Sequence, residues 1–176
     1  MELRHAILGL LSIQPLSGYD LGRAFAGTVA HFWYADQSQI YRTLDRLAAD
    51  GAIETERIRQ QTHPDRKVHT LTDRGRAELT AWLTSPLEPE RPKEPFLARL
   101  FFAAELGVEG VERLLEERER QTREVLERLR AITVPAGDRA AVLQQATLSS
   151  GIAHAEAELE WLADTRRRNA GAVEQS

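Results

Sequence analysis

Apolar residues in the first segment fall at Leu3, Ala6, Ile7, Leu10 and Leu11, the spacing of one face of an α-helix, and Pro15 closes it. Ser17-Gly18-Tyr19-Asp20 has the spacing of a capping box, and Leu21, Phe25 and Val29 then recur one helical turn apart, which predicts a second, short helix to about Ala30. After Phe32-Trp33-Tyr34, Asp36 and Gln39 offer another capping box. They open a third helix with Ile40, Leu44, Leu47 and Ala48 inward, stopped by Gly51. The period then changes. Residues 53–58 and 67–71 read as two strands around the polar stretch Thr62-His63-Pro64-Asp65-Arg66, a β-hairpin. Thr72 caps a fourth helix carrying Ala77, Leu79, Trp82 and Leu83, before Pro86, Pro89, Pro92 and Pro95 interrupt the chain.

Beyond the prolines, Phe96, Leu97, Leu100, Phe101 and Ala104 predict a short, strongly apolar helix ending near Gly107. A long charged helix follows over residues 108–132, with Val111, Leu114, Leu115, Val125, Leu126, Leu129 and Ile132 as a stripe broken by Arg118 and Thr122. Its flanks carry Glu116/Arg120, Glu119/Arg123 and Glu124/Arg128 at the spacing of helical ion pairs. Pro135-Ala136-Gly137 ends it, and a last helix runs from about Asp138 to Arg168. Its apolar stripe is Leu148, Ile152, Ala155, Leu159 and Leu162. These patterns predict a mainly α protein in three parts: a domain over 1–86, an all-helical domain over 93–168, and a frayed tail over 169–176.

Composition narrows the function classes. A chain of 176 residues with 42% apolar content is long enough to bury a sizeable core. It holds no apolar run of membrane-spanning length and no signal-type leader, so the expectation is a cytoplasmic protein with no membrane partner. Zero cysteines exclude disulfides, thiol nucleophiles and cysteine zinc sites. Net charge is −4, divided equally between residues 1–90 and 91–176, so global attraction to nucleic acid is absent. Between residues 57 and 76, however, six cations (Arg57, Arg59, Arg66, Lys67, Arg74, Arg76) face two anions, a local +4 able to neutralise phosphates.

Three helices, a hairpin and a further helix follow the order of a winged helix-turn-helix. In that arrangement the third helix lies in a major groove while the hairpin tip reaches backbone or minor groove. With Ile40, Leu44 and Leu47 inward, Gln37, Ser38, Tyr41, Arg42, Asp45 and Arg46 fall on the outer side or its flanks, and the amides, hydroxyls and guanidiniums among them, with Gln39, are the candidates to read bases and grip phosphate. Arg66 and Lys67 at the hairpin are candidate phosphate contacts. Tyr19 reads equally as a phosphate donor at a helix N-terminus or a half-buried core residue.

Here the chain resembles the PadR-like transcriptional regulators with a longer helical C-terminal domain. The resemblance rests on Ser17-Gly18-Tyr19-Asp20-Leu21, Phe32-Trp33, Gln39-Ile40-Tyr41-Arg42-Thr43-Leu44 with Leu47 and Gly51, and the run from Asp65 to Gly75, all in order. It covers residues 1–84 closely and the remainder more loosely. His69 stands where the family usually has tyrosine, and Arg42 where many members have proline. The resemblance implies a dimeric repressor that binds a pseudo-palindromic operator in double-stranded DNA and leaves it when a small-molecule effector binds. A homodimer also suits the physics, because a single recognition helix reads few bases. The stripe Leu148, Ile152, Ala155, Leu159 and Leu162 is the expected dimer clasp.

Phe32, Trp33 and Phe96, with Arg99 as a partner for an anion, could line an effector pocket between the domains, or serve as ordinary core and surface residues. His154 and Glu158 stand one helical turn apart without a third ligand and read as a surface pair, so no metal and no cofactor are expected. His5, His31, His63 and His69 have no ligand spacing, and no nucleophile or phosphate-loop motif occurs, so no enzyme is expected. The rival reading is a protein-interaction scaffold that uses the winged helix and the charged helices without sequence-specific DNA binding. The cationic outer face of the third helix weighs against it.

Overall fold

The computed structural model describes residues 2–27, 29, 33, 35–59, 66–87 and 93–171. The chain divides into two units, Met1–Pro89 and Glu90–Ser176.

The first unit comprises α1 (Leu3–Ile13), β1 (Leu16–Ser17), α2 (Gly18–Ala26), α3 (Gln37–Ala49), β2 (Ile53–Ile58), β3 (Arg66–Leu71) and α4 (Asp73–Leu83). The strands form an antiparallel sheet in the order β1-β3-β2, with Leu16 opposite His69 and Thr55 opposite His69 from the other side. Ile7, Leu8, Leu11, Leu21, Phe25, Ile40, Leu44, Leu47, Ala52, Ile53 and Leu79 make one core, drawn from the periodic positions of four helices plus the start of the hairpin. Ala48, expected on the inward stripe of α3, is exposed, as are Ala77 and Leu83 of α4. The second helix stops at Ala26, short of Ala30, because Gly27 leaves helical geometry at φ −125° and ψ −89°.

The local signals that place α3 and the sheet are legible in atomic contacts. Ser17 and Asp20 form the complete capping box of α2. At α3 only half of the expected box is present, the Asp36 carboxylate accepting from the Gln39 amide at 2.9 Å. Gly51 adopts φ +69°, the left-handed geometry that lets the Ala52 amide bond back to the Leu47 carbonyl at 2.9 Å. Arg4 of α1 holds Glu78 of α4 through two bonds of 2.5 and 2.9 Å and Asp50 at the end of α3 through a third of 2.9 Å. The His5 ring stacks on Trp82 at 5.1 Å, so the face of α1 is fixed against α4 by charge and by aromatic contact.

The second unit holds α5 (Pro95–Phe101), a 3-10 turn (Ala103–Leu106), α6 (Gly107–Arg130) and α7 (Arg139–Gly171). The apolar segment expected as one helix is therefore two pieces, and no residue of α5 is buried; Phe101 and Phe102 are 83% and 71% exposed. Helices α6 and α7 run antiparallel, bridged by Arg166 to Glu112 and Glu119 near one end and by Arg130 to Glu156. Buried residues recur every seven, at Leu115, Thr122 and Leu129 on α6, where Leu126 and Gly110 are buried as well, and at Leu148, Ala155 and Leu162 on α7, the repeat of a coiled-coil seam. Ile152 and Leu159 are half-buried. The stripe expected to clasp a second chain is thus largely covered inside its own chain.

The two residues that interrupt the stripe of α6 explain themselves in this pairing. Arg118 donates to Glu158 from Nε at 2.8 Å, and the Thr122 hydroxyl donates to the same carboxylate at 3.0 Å. Glu158 is therefore not a surface partner of His154, which is exposed; it satisfies a polar layer between two helices. The expected ladder on α6 is also rearranged. Glu119 does pair with Arg123, but Arg120 takes Glu117 and Glu124, while Glu116 faces Arg166 of α7. Arg166 of α7 draws Glu116 and Glu119, while the Arg120 pairs form within α6 itself.

Candidate nucleic-acid interface

Helix α3 has one buried and one exposed side. Ile40, Leu44 and Leu47 are buried, while Gln37, Ser38, Gln39, Tyr41, Arg42 and Arg46 are all exposed. At its N-terminus the Ser38 hydroxyl donates to Asp36 at 2.7 Å, and that bond with the Gln39 amide holds the Asp36 carboxyl below its usual range. The charge sits where the helix dipole favours it. Arg42 makes one long bond from Nε to the Ser38 carbonyl at 3.3 Å, which leaves its terminal nitrogens directed along an exposed face.

Tyr41 is 44% exposed, and its position depends on a glycine outside its own helix. A Cβ built on Gly18 would lie 2.4 Å from the Tyr41 ring, so only glycine at the first position of α2 lets the ring lie there. Tyr19, whose two readings the sequence left open, is 63% exposed at the same helix end and is not a core residue. The Gly18-Tyr19 step thus joins the N-terminus of α2 to the outer face of α3.

The wing presents Lys67, exposed on β3 directly across from Arg57 on β2. Arg66 is half-exposed but not free: it reaches Asp20 of α2 at 2.5 Å. The tip of the hairpin, residues 60–65, lies outside the described residues, and so does the expected turn around His63. His69 is buried between the two neighbouring strands, with Nδ1 3.0 Å from the Thr55 hydroxyl. Burial first, and then the Lys67 charge, push its pKa below the usual value, against a smaller opposing pull from Asp45 of α3.

That shift has a stability consequence with a definite sign. Below pH 6.5 an unfolded chain binds a proton at this histidine that the folded chain refuses, so stability falls as pH drops through 6.5 toward the lower folded value, and the loss stops growing beneath it. Between pH 7.5 and 5.5 the loss is bounded at about 1.4 kcal/mol. Denaturant unfolding at the two pH values should show this component in the parent chain and not in His69→Tyr; equal acid sensitivity of the two would remove it.

Of the residues expected around an effector, Trp33 belongs to the first unit and Phe96 and Arg99 to the second. Phe32 and His31 lie outside the described residues, and Trp33 is half-buried against the core of the first unit. In the second unit Phe96 meets Trp161 edge-on at 6.2 Å and carries the Arg118 guanidinium 5.3 Å above its ring, while Arg99 is exposed on α5. Among the described residues no group of three or more His, Asp or Glu could hold a metal ion, and no helix is long and apolar enough to cross a membrane.

Two family models match the chain, the transcriptional regulator PadR-like family over residues 7–81 and the virulence activator alpha C-terminal family over residues 92–168. A probable transcriptional regulator of Mycobacterium tuberculosis is 44% identical over 92 residues, covering 52% of this chain and 49% of the relative. The negative transcriptional regulator PadR of Bacillus subtilis is 41% identical over 102 residues, covering 57% of this chain and 56% of the relative. The matched stretches thus span about half the length of these curated relatives. In three dimensions the similarity is longer: Bacillus subtilis PadR solved with operator DNA has a TM-score of 0.80 at 28% identity, over 95% of this chain and 98% of that one. The same protein solved with p-coumaric acid has a TM-score of 0.77 at 28% identity, over 96% and 98%. A winged helix-turn-helix with an outward row of polar and charged residues on α3 places residues 7–81 in the PadR-like family of transcriptional regulators, and the whole chain shares the fold of Bacillus subtilis PadR.

Proposed function

We propose that the chain is a cytoplasmic, sequence-specific DNA-binding regulator that acts as a dimeric repressor and leaves a pseudo-palindromic operator when a small aromatic acid or a similar effector binds. The observation that carries this reading is the face of α3. Six exposed residues, Gln37, Ser38, Gln39, Tyr41, Arg42 and Arg46, stand on the far side of a fully buried stripe, next to a wing strand bearing Lys67. That face has the donors and acceptors of direct base readout, and the local positive charge offsets the acidic remainder of the chain. The Bacillus subtilis relative, which is solved with operator DNA and with p-coumaric acid, supports both halves of the reading.

A dimer would place two such helices about 34 Å apart or a multiple of it, on successive turns of one groove face. Because α7 uses Leu148, Ala155 and Leu162 within its own chain, contact with a second copy falls to apolar residues that remain exposed: Phe101, Phe102, Val142 and Leu143. Sedimentation of the purified chain should give twice the monomer mass. Fluorescence-anisotropy titration against its own upstream DNA and a shuffled duplex should show at least ~10³-fold preference, weakening steeply with salt. Equal, weak binding to both duplexes would instead leave the protein-interaction scaffold.

A further inference from the structure

The wing is tied to the helix-turn-helix by a closed ring of contacts. Asp20 Oδ2 accepts from the Ser17 amide at 2.9 Å, from the Ser17 hydroxyl at 2.6 Å and from Arg66 Nη2 at 2.5 Å. Ser17 belongs to β1, which pairs with β3 opposite Val68, two residues beyond Arg66. The carboxylate that caps α2 is therefore also the partner of the first residue of the wing strand. The side chain of Arg66 remains 48% exposed, that of Asp20 only 25%.

We propose that Asp20 is a positioning residue for DNA binding, which holds the Arg66 guanidinium against the N-terminus of α2 so that its remaining N–H groups meet a phosphate. This rests on the DNA-binding reading given above. The bond to Asp20 uses Nη2, and a guanidinium has five N–H donors in a fixed fork, so one edge can be anchored while another is presented. An unanchored arginine at the edge of a hairpin loses rotamer freedom when it grips a phosphate; an anchored one has lost it already. The pair is also electrically balanced, so Asp20 does not leave a bare negative charge beside the backbone of the DNA. Its carboxyl is held at about pKa 2, first by the Ser17 hydroxyl, so it stays ionised through the physiological range. The alternative role for the same contact is inhibitory: Asp20 would compete with phosphate for Arg66. The two roles have opposite signs in one experiment.

Asp20→Asn retains an oxygen for the Ser17 donors and removes the charge that fixes Arg66. In the free protein, ¹⁵N relaxation at Arg66 Nε should report an ordered side chain in the parent and a mobile one in Asp20→Asn. Equal mobility in the two would overturn the anchoring, whatever the protein does with DNA. In anisotropy titrations on the upstream duplex, Asp20→Asn should weaken binding by about five- to tenfold, and in an Arg66→Ala background by less than about twofold. A gain in affinity for Asp20→Asn would mean that the contact inhibits. A loss of the same size in the Arg66→Ala background would mean that Asp20 acts only as a helix cap. Failure of the parent to prefer its upstream duplex over a shuffled one would instead sink the DNA-binding reading, and the role of Asp20 in DNA binding with it, while the relaxation arm still decides the anchoring.

Discussion

Gly75→Ala should unfold or severely weaken the first unit, while Gly9→Ala in the same unit should stabilise it. A Cβ on Gly75 would lie 2.1 Å from the Ala52 carbonyl oxygen and 2.8 Å from Leu71 Cδ1, whereas nothing stands within 4 Å of one on Gly9. The obstacle at Gly75 is backbone, which cannot rotate aside like a side-chain tip. Helix α4 would have to move away from the hairpin. That displacement strains the Thr72 amide bond to Ala52 at 3.2 Å and the cap in which Thr72 Oγ1 accepts from the Gly75 amide at 3.1 Å. Overpacking costs about 1–3 kcal/mol and a lost cap about 1 more, a large share of the stability of a unit this small. Gly9 lies inside α1 with room for a methyl group, so alanine there should add roughly 0.5–1 kcal/mol. Urea unfolding followed by circular dichroism separates the two. If Gly75→Ala matched the parent within error, the close approach of α4 to Ala52 would be wrong.

Arg42→Ala and Lys67→Ala should both weaken operator binding but in different ways. Arg42 stands on the exposed face of α3, its guanidinium Nε bonded to the Ser38 carbonyl. If it reads a base edge, its loss should cost about 1–3 kcal/mol on the matched operator and far less on an operator changed at the contacted position. Lys67 stands on the wing strand, where phosphate carries no sequence information. Its loss should weaken all duplexes alike and flatten the dependence of log K on log salt by about 0.9. The sequence by itself nominates Arg66 as readily as Lys67 for this comparison, but Arg66 is paired with Asp20, so its loss would also unpair a carboxylate and would not report a lone phosphate contact. Titrations across a set of single-base operator variants decide the matter. A sequence-blind loss for Arg42→Ala would remove base reading from that residue and leave it a phosphate contact.

The first prediction depends on a distance between residues far apart in the chain, Gly75 and Ala52, and the second on the local setting of one helix face, and the same division runs through the whole molecule. The order of helices, strands and turns was legible in the sequence, because each element reports itself locally. Helical spacing at Leu3 to Leu11, alternation around the hairpin, Ser17 and Thr72 before their helices and Gly51 after α3 act within a few residues of themselves. The outer row of α3 followed directly, since a helix with Ile40, Leu44 and Leu47 inward has little choice about what faces out.

Partners are a different kind of information. Periodicity says which face of a helix is apolar, not what covers it: the stripe of α7 suggests a clasp for a second chain, while Leu148, Ala155 and Leu162 are already buried within their own chain, and the apolar run of α5 leaves Leu97 and Phe101 exposed. Charge spacing says which ion pairs a helix could make. Glu158 turned to Arg118, 40 residues away, and Arg66 to Asp20, 46 residues away, because carboxylates with several cations in reach are assigned by packing. The tolerance of Gly18 for the Tyr41 ring and of Gly75 for the Ala52 carbonyl has no local signature beyond the glycine itself. The sequence alone therefore determined the elements, their order and the chemistry of the exposed face of α3, since short-range sterics and hydrogen bonds set these. Only the tertiary structure decided which apolar faces are covered, which arginines are engaged and which glycines are indispensable, since these depend on contacts that the chain makes only once it has folded.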